Sequence, residues 1–180
     1  MQSNTDSKLS LLQQAYNETE KCNLLRYNCA ALCGAACCKE HTANSSSECG
    51  MSLFPSEKKL CVFDGARVEK ALYGDILICS GKCDRALRPF MCRIFPFYAK
   101  FEPDVRKKGR ERIVLVPDPR AFRICPVVSK KFHVRQTVYF HRYTRRAVRI
   151  LSGDKDFKAE LIKNADFAYS IYELYDKLLK

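Results

Sequence analysis

The sequence lacks the motifs of several large enzyme classes. It has no Walker phosphate loop, no G-x-G-x-x-G dinucleotide fingerprint and no H-E-x-x-H zinc motif. Its three histidines do not form the Ser/His/Asp order of a catalytic triad. The chain has only seven glycines and no Gly-rich loop, which argues against a Rossmann-type nucleotide site.

Long apolar runs are also missing. No run approaches the roughly 18 residues that a membrane-spanning helix needs, and residues 1–8 are polar, without the apolar segment of a secretory leader. We therefore expect a cytoplasmic protein with no membrane partner, in a compartment where thiols stay reduced. Apolar residues make up 47 % of the 180-residue chain, so a packed core does not depend on disulfides.

Cysteine, by contrast, is in large excess. The chain has eleven cysteines, so at least one of them would remain outside a disulfide even if all the others were paired. The densest cluster has the spacing C-x3-C-x3-C-C and consists of Cys29, Cys33, Cys37 and Cys38. In a reducing compartment such clusters indicate metal ligands first, and redox thiols or disulfides second.

A single regular helix cannot direct all four of these sulfurs at one centre. At about 100° per residue, Cys29, Cys33 and Cys37 drift about 40° per step and share a face, whereas Cys38 points away from Cys29. Gly34 offers a break at which the chain can turn. Three roles stay open for the adjacent pair Cys37 and Cys38: one ligates, both ligate across a turn, or each serves a different metal.

A second group of thiols is spread along the chain. Its members are Cys79, Cys83, Cys92 and Cys125. Their spacing matches neither paired zinc-finger ligands nor ferredoxin runs, but cysteine ligation from distant segments is compatible with zinc or an iron–sulfur cluster. Because thiolates outnumber what one zinc needs and histidine is almost absent, we favour an iron–sulfur cluster, of the 4Fe–4S type. His41, close to Cys38, is either a ligand, an outer donor or a surface residue.

The positive charge lies in one segment. Residues 85–149 carry 18 Lys/Arg and four Asp/Glu, a net of +14, whereas residues 1–84 and 150–180 each sum to −1. The excess fits a solvated face, compensation of thiolate charge by arginines beside Cys83 and Cys92, or an anionic partner. Arg88 and Arg93 are the candidate cofactor-binding arginines. We do not favour nucleic-acid binding as the sole function, because no RRM, KH or helix-turn-helix pattern accompanies the charge.

Periodicity predicts helices at both ends of the chain. Residues 7–21 carry an apolar stripe at helical spacing, with Ser7 as a plausible N-cap. Residues from about 134 to 180 predict two helices separated at Ser152-Gly153-Asp154. The second has an apolar stripe that includes Phe157, Leu161 and Ile162, which we interpret as core packing.

The middle of the chain predicts short strands and turns. Residues 60–79 read as short strands, including Val62-Phe63, with turns at Asp64-Gly65 and Gly74-Asp75. Pro55-Ser56 suits the start of a short helix. Pro89 and Pro96 bound one or two helical turns.

The basic run VRKKGRER (residues 105–112) predicts a hairpin tip at Gly109, before a strand at 112–116. We expect an α+β fold in three parts. These are an N-terminal helix (1–21), a small Cys-rich, metal-centred domain with short antiparallel strands (22–130) and C-terminal helices packing on it (131–180).

The order of these motifs resembles the CxxCxxCC family, also called YkgJ-type, whose members are described as zinc- or iron-chelating domains. The matching features are the cluster ending at Cys38, LFPSE (53–57), CSGKCDRALRPFMCRIFPF (79–97) and DPRAFRICPV (118–127). The most specific part is the arrangement of Arg88-Pro89, Cys92-Arg93 and Pro96-Phe97. The resemblance covers about residues 29–127. Both gaps in the cluster are three residues long here, where the family name implies two.

The resemblance implies a thiolate-bound zinc or iron centre. The family includes proteins that resemble flagellin lysine-N-methylases, so a protein substrate and S-adenosylmethionine are further implications. The ligand set implied by the matching contains Cys29, Cys33, Cys37, Cys38, Cys83, Cys92 and Cys125, with Cys79 added on weaker grounds. Cys22, Cys49 and Cys61 are as consistent with small buried apolar residues as with ligands.

Overall fold

A computed structural model describes residues 2–21, 23–25, 29–39, 50–61, 63–71, 74–79, 84–129 and 137–178. Helices alternate irregularly with short antiparallel strands, so the expected α+β class is confirmed. The elements in chain order are α1 (Gln2–Glu20), α2 (Ala30–Cys33), α3 (Ala36–Lys39), β1 (Met51–Ser52), α4 (Lys58–Cys61), β2 (Ala66–Ala71), β3 (Gly74–Cys79), α5 (Phe90–Ile94), β4 (Phe97–Pro103), β5 (Glu111–Pro117), α6 (Ala121–Ile124), α7 (Val138–Leu151) and α8 (Lys155–Leu178).

Helix α1 has the predicted apolar stripe but begins earlier than predicted. Leu12, Ala15 and Tyr16 are buried on one face. The helix starts at Gln2, so the prediction of Ser7 as N-cap is wrong. No glycine or proline precedes Ser7 in the chain, and the polar residues before it extend the helix because nothing interrupts its hydrogen bonding.

The first sheet has three antiparallel strands in the order β1-β3-β2. The predicted turn at Asp64-Gly65 is confirmed and leads into β2, with Gly65 at φ 80°. The predicted turn at Gly74-Asp75 is wrong. These two residues are the first of β3, since Ala71 pairs with Gly74. Phe63 lies outside the strands because α4 ends just before it, so the predicted strand there is wrong, and Val62 lies outside the described residues.

The second sheet is the hairpin β4–β5. Phe97 pairs with Pro117 at its base and Pro103 with Glu111 near its tip. Gly109 adopts φ 77° in the connecting loop, which confirms the predicted hairpin tip. Just before β4, the short helix α5 is bounded by Pro89 and Pro96, also as predicted.

Helices α7 and α8 confirm the predicted C-terminal pair. Thr137 caps α7 by accepting a hydrogen bond from the Phe140 backbone N–H at 3.2 Å. In α8, Phe157 and Leu161 are buried, but Ile162 is 40 % exposed, so its assignment to the core is wrong. In the part of the chain that the structure describes, no helix is both long and apolar enough to cross a membrane.

One hydrophobic core joins the two ends of the chain. Helix α1 packs against α7, and α8 packs against β4. The largest apolar side chains that are completely enclosed in this core come from four helices and from the segment after α1, and they are Leu12, Leu25, Phe90, Ile94, Leu151, Phe157 and Leu161. Cys29 and Cys125 are only half-buried and pack against the edge of the core.

Candidate metal centre

The chain turns sharply inside the cysteine cluster. Helix α2 ends at Cys33, Gly34 and Ala35 both have left-handed backbone (φ 60° and 58°), and α3 begins at Ala36. Left-handed geometry is easy for glycine and strained for alanine. The break predicted at Gly34 is therefore confirmed, and it changes the direction of Cys37 relative to Cys33.

Four cysteines from two distant segments line one small cavity. Cys29, Cys33 and Cys37 enclose it from one side, and Cys125, which follows α6, encloses it from the other. The contact between α3 and α6 brings the two segments together. The remaining walls are almost entirely apolar, formed by Leu24, Phe95, Pro96, Ile124, Pro126 and Val127.

The cavity has room for a single ion. It offers about 30 Å³ to a water-sized occupant, and one water needs roughly 10–15 Å³ on this measure. None of its four cysteines is in a disulfide, and the same holds for Cys61 and Cys92. Half-buried thiols are soft metal ligands, and the apolar walls around them exclude competing water.

The backbone fixes Cys125 at the cavity wall. Its N–H donates to the Ala121 carbonyl at 2.7 Å, and its carbonyl accepts from Ser129 N–H at 3.0 Å. Burial raises the pKa of the Cys125 thiol, and the nearby thiols of Cys33 and Cys29 raise it further. The thiols of Cys29, Cys33 and Cys125 thus lie close enough for Cys125 to be influenced electrostatically by the other two.

The thiols surround the cavity without closing on a common point. Within the described ranges, no three His, Cys, Asp or Glu side chains lie close enough together to hold one metal ion. Cys33 Sγ instead donates to the Cys29 carbonyl at 3.8 Å. Ligation would therefore require rotation of these side chains toward the centre of the cavity.

The other predicted ligands lie either away from the cavity or outside the described residues. Cys92, on α5, does not line the cavity and lies within electrostatic reach of Arg120. Cys83 and His41 lie outside the described residues, as do the side chains of Cys38 and Cys79.

The contacts of Arg93 lie on α1 and on the segment before α5. Its side chain is 1 % exposed, and its Nε and Nη2 donate to the carbonyls of Arg88 and Ala86, each at 2.7 Å. The guanidinium also pairs with Glu20 and lies 3.9 Å from the centre of the Tyr16 ring. Arg88 is half-buried. In this arrangement Arg93 ties α1 to the segment before α5.

Next to Arg93 lies a buried polar cluster that the sequence reasoning missed. Glu57 is 0 % exposed and accepts hydrogen bonds from Tyr16 Oη (2.6 Å), Phe90 N–H (2.6 Å) and Phe54 N–H (2.8 Å). Cys61 Sγ lies 3.1 Å from the same tyrosine hydroxyl. Burial raises the pKa of Glu57 although its donors and Arg93 oppose the shift.

No family model, curated protein or solved structure matched the chain. The resemblance to the CxxCxxCC family therefore stays a prediction from the motifs alone.

Proposed function

We propose that the protein binds a metal centre through cysteine thiolates, with Cys29, Cys33, Cys37 and Cys125 as the primary ligands. The observation that carries this proposal is the cavity that these four residues share. Three of them lie within nine residues of chain, and the fourth comes from a segment about 90 residues later. Convergence of half-buried thiols from two distant segments on one cavity is the arrangement that a shared soft metal centre requires.

The chemistry of the donor set agrees with this function. Four thiolates complete the coordination of one zinc ion or of one iron–sulfur cluster. The apolar walls would keep water from the centre, and two short helices and the Cys125 turn would hold the ligands. We prefer an iron–sulfur cluster to zinc because Cys38 and the second thiol group offer more sulfur than one zinc ion uses, and such a cluster would need the cavity to widen beyond its present size.

Metal analysis with a visible spectrum on anaerobically purified protein tests the proposal. An iron–sulfur cluster gives a brown protein with iron and acid-labile sulfide in equal amounts. We expect Cys33→Ser and Cys125→Ser each to lose most of the bound metal. Cys61→Ser is the matched control, because Cys61 contacts Tyr16 and not the cavity, and it should keep the wild-type metal content.

The outcomes separate the parts of the proposal. A colourless protein with one zinc per chain would contradict the iron–sulfur preference but keep the thiolate centre. Metal lost equally in all three variants would contradict the assignment of the cavity. A chain purified anaerobically with no stoichiometric metal, and unable to take up iron with sulfide or zinc, would overturn the function.

A further inference from the structure

The outer face of α7 carries arginines without acidic partners. Arg142, Arg145 and Arg149 are exposed, and none of them pairs with an acidic side chain within the described ranges. Arg146 is exposed too and lies 3.9 Å from Glu18. At about 100° per residue these four arginines fall within an arc of roughly 100° on one side of the helix.

The same face begins with an exposed aromatic ring. Tyr139 is 62 % exposed and stacks on Tyr143 with ring centroids 6.5 Å apart and an interplanar angle of 23°. Tyr143 is in turn flanked by Arg146 and Lys21, whose charged groups lie 5.4 and 5.8 Å from its ring centre. The stacking and the two cations hold the tyrosine pair in place.

The opposite face of α7 is committed to the core. Phe140, Thr144, Ala147, Val148 and Leu151 are all buried. A helix that binds a lipid surface leaves its apolar face available for insertion, and here that face is used for folding. The charge and the aromatic ring on the outer face therefore fit a soluble polyanion that has flat, stackable groups.

We propose that this face of α7 binds single-stranded nucleic acid. The arginines contact successive phosphates, and Tyr139 stacks on an unpaired base. The distance from Tyr139 to Arg149 is about 15 Å along the helix axis at 1.5 Å per residue, which is long enough to contact several phosphates of one strand. Duplexes bury their bases, so they would use the arginines but not the ring.

Fluorescence anisotropy with a labelled uridine oligomer of about 12 nucleotides tests the proposal. The purified full chain should bind with a slope of log K against log salt of about −2 to −3, at about 0.7 per neutralised phosphate. A triple variant, Arg142→Gln, Arg145→Gln and Arg149→Gln, should flatten the slope by about 2. Tyr139→Ala should weaken binding about 5- to 150-fold and leave the slope unchanged.

The controls locate the site and identify its chemistry. Lys58→Gln, Lys59→Gln and Lys70→Gln remove the same charge from exposed positions on α4 and β2 and should leave the slope nearly unchanged. A DNA strand of equal length should also bind, and any preference for RNA measures contacts to the 2′-hydroxyl. Circular dichroism confirms that each variant remains folded.

Several results would overturn the assignment. Absence of binding at low salt refutes the function. An equal loss in the lysine triple variant refutes the location on α7. Binding of a duplex or of polyglutamate as tightly as the single strand, with no effect of Tyr139→Ala, refutes base stacking and reduces the face to a general anion surface.

Discussion

Glu57 shows how one residue joins three parts of the fold. Its carboxylate receives donors from α1, from the segment before α4 and from the start of α5. Its hydroxyl partner, Tyr16, also contacts Cys61 and Arg93. A buried carboxyl costs free energy unless its hydrogen bonds are complete, so we expect its partners to have little freedom to change.

Glu57→Gln should lower the free energy of unfolding by about 1–3 kcal/mol. If the amide oxygen accepts from Tyr16 and Phe90, the amide nitrogen faces the Phe54 N–H, and two donors then oppose each other. Chemical denaturation measures the change. Asp75→Asn, at a half-buried position in β3, provides a carboxyl-to-amide control that should change stability much less. A loss no larger than that of the control would contradict the role assigned to Glu57.

The stability of the wild type should depend on pH differently from that of Glu57→Gln. Burial raises the pKa of Glu57 above its ordinary value of 4.5, so the native state keeps a proton that the unfolded chain has lost. The contribution of Glu57 to stability is therefore full below pH 4.5 and falls as pH rises through the native pKa. The stability gap between wild type and Glu57→Gln should narrow over that interval. A gap that widens with pH would mean that the native pKa is lowered instead.

Among the elements, the α2–α3 break determines whether three thiols can share a cavity. Gly34→Ala should lower the free energy of unfolding by about 1–2 kcal/mol, because alanine resists the left-handed backbone. Ala35→Gly, at the adjacent left-handed residue, should be neutral or stabilising, since relief of strain offsets the added chain entropy. Thermal denaturation of both variants checks the signs. If residues 34 and 35 were helical, both signs would reverse.

Local sequence predicted four element boundaries marked by glycine or proline, whereas Gly74 begins β3 and does not form the expected turn. Gly34, Gly109, Pro89 and Pro96 each lie at the boundary that was expected. Helices α7 and α8 were predictable because their apolar residues repeat at 3.6-residue spacing. The start of α1 was not, because the polar residues before Ser7 carry no stop signal and no apolar repeat.

The candidate site was only partly predictable. The cluster spacing pointed to Cys29, Cys33, Cys37 and Cys38, and the motif resemblance added Cys92 and Cys125, but only the tertiary structure distinguishes Cys125, which lines the cavity, from Cys92, which does not. Arg93 follows Cys92 in sequence yet turns toward Tyr16, because adjacency does not determine side-chain direction. Glu57 was missed because it stands among the polar residues Ser56, Lys58 and Lys59, and nothing in that run marks a buried carboxyl.

At the scale of the whole molecule, the cysteine cavity lies at the edge of the core and shares Leu24 and Val127 with it. Most of the enclosed core lies elsewhere, in apolar side chains that include those of α1, α5, α7 and α8, and Cys29 and Cys125 pack against it from the edge. Removal of the proposed metal by a chelator should therefore leave the helical circular dichroism largely intact while lowering the melting temperature. Limited proteolysis should then cut first near α2 and α3. A cooperative loss of helix on chelation would instead make the metal the main source of folding energy.

The packing of α1 against α7 also affects how the protein is made. About 120 residues separate the end of α1 from the start of α7. At a synthesis rate of about 5–20 residues per second, roughly 6–24 s pass between the translation of α1 and that of α7. During that interval Leu12, Ala15 and Tyr16 have no α7 to cover them, and a ribosome-associated chaperone would find a binding site at this end of the chain.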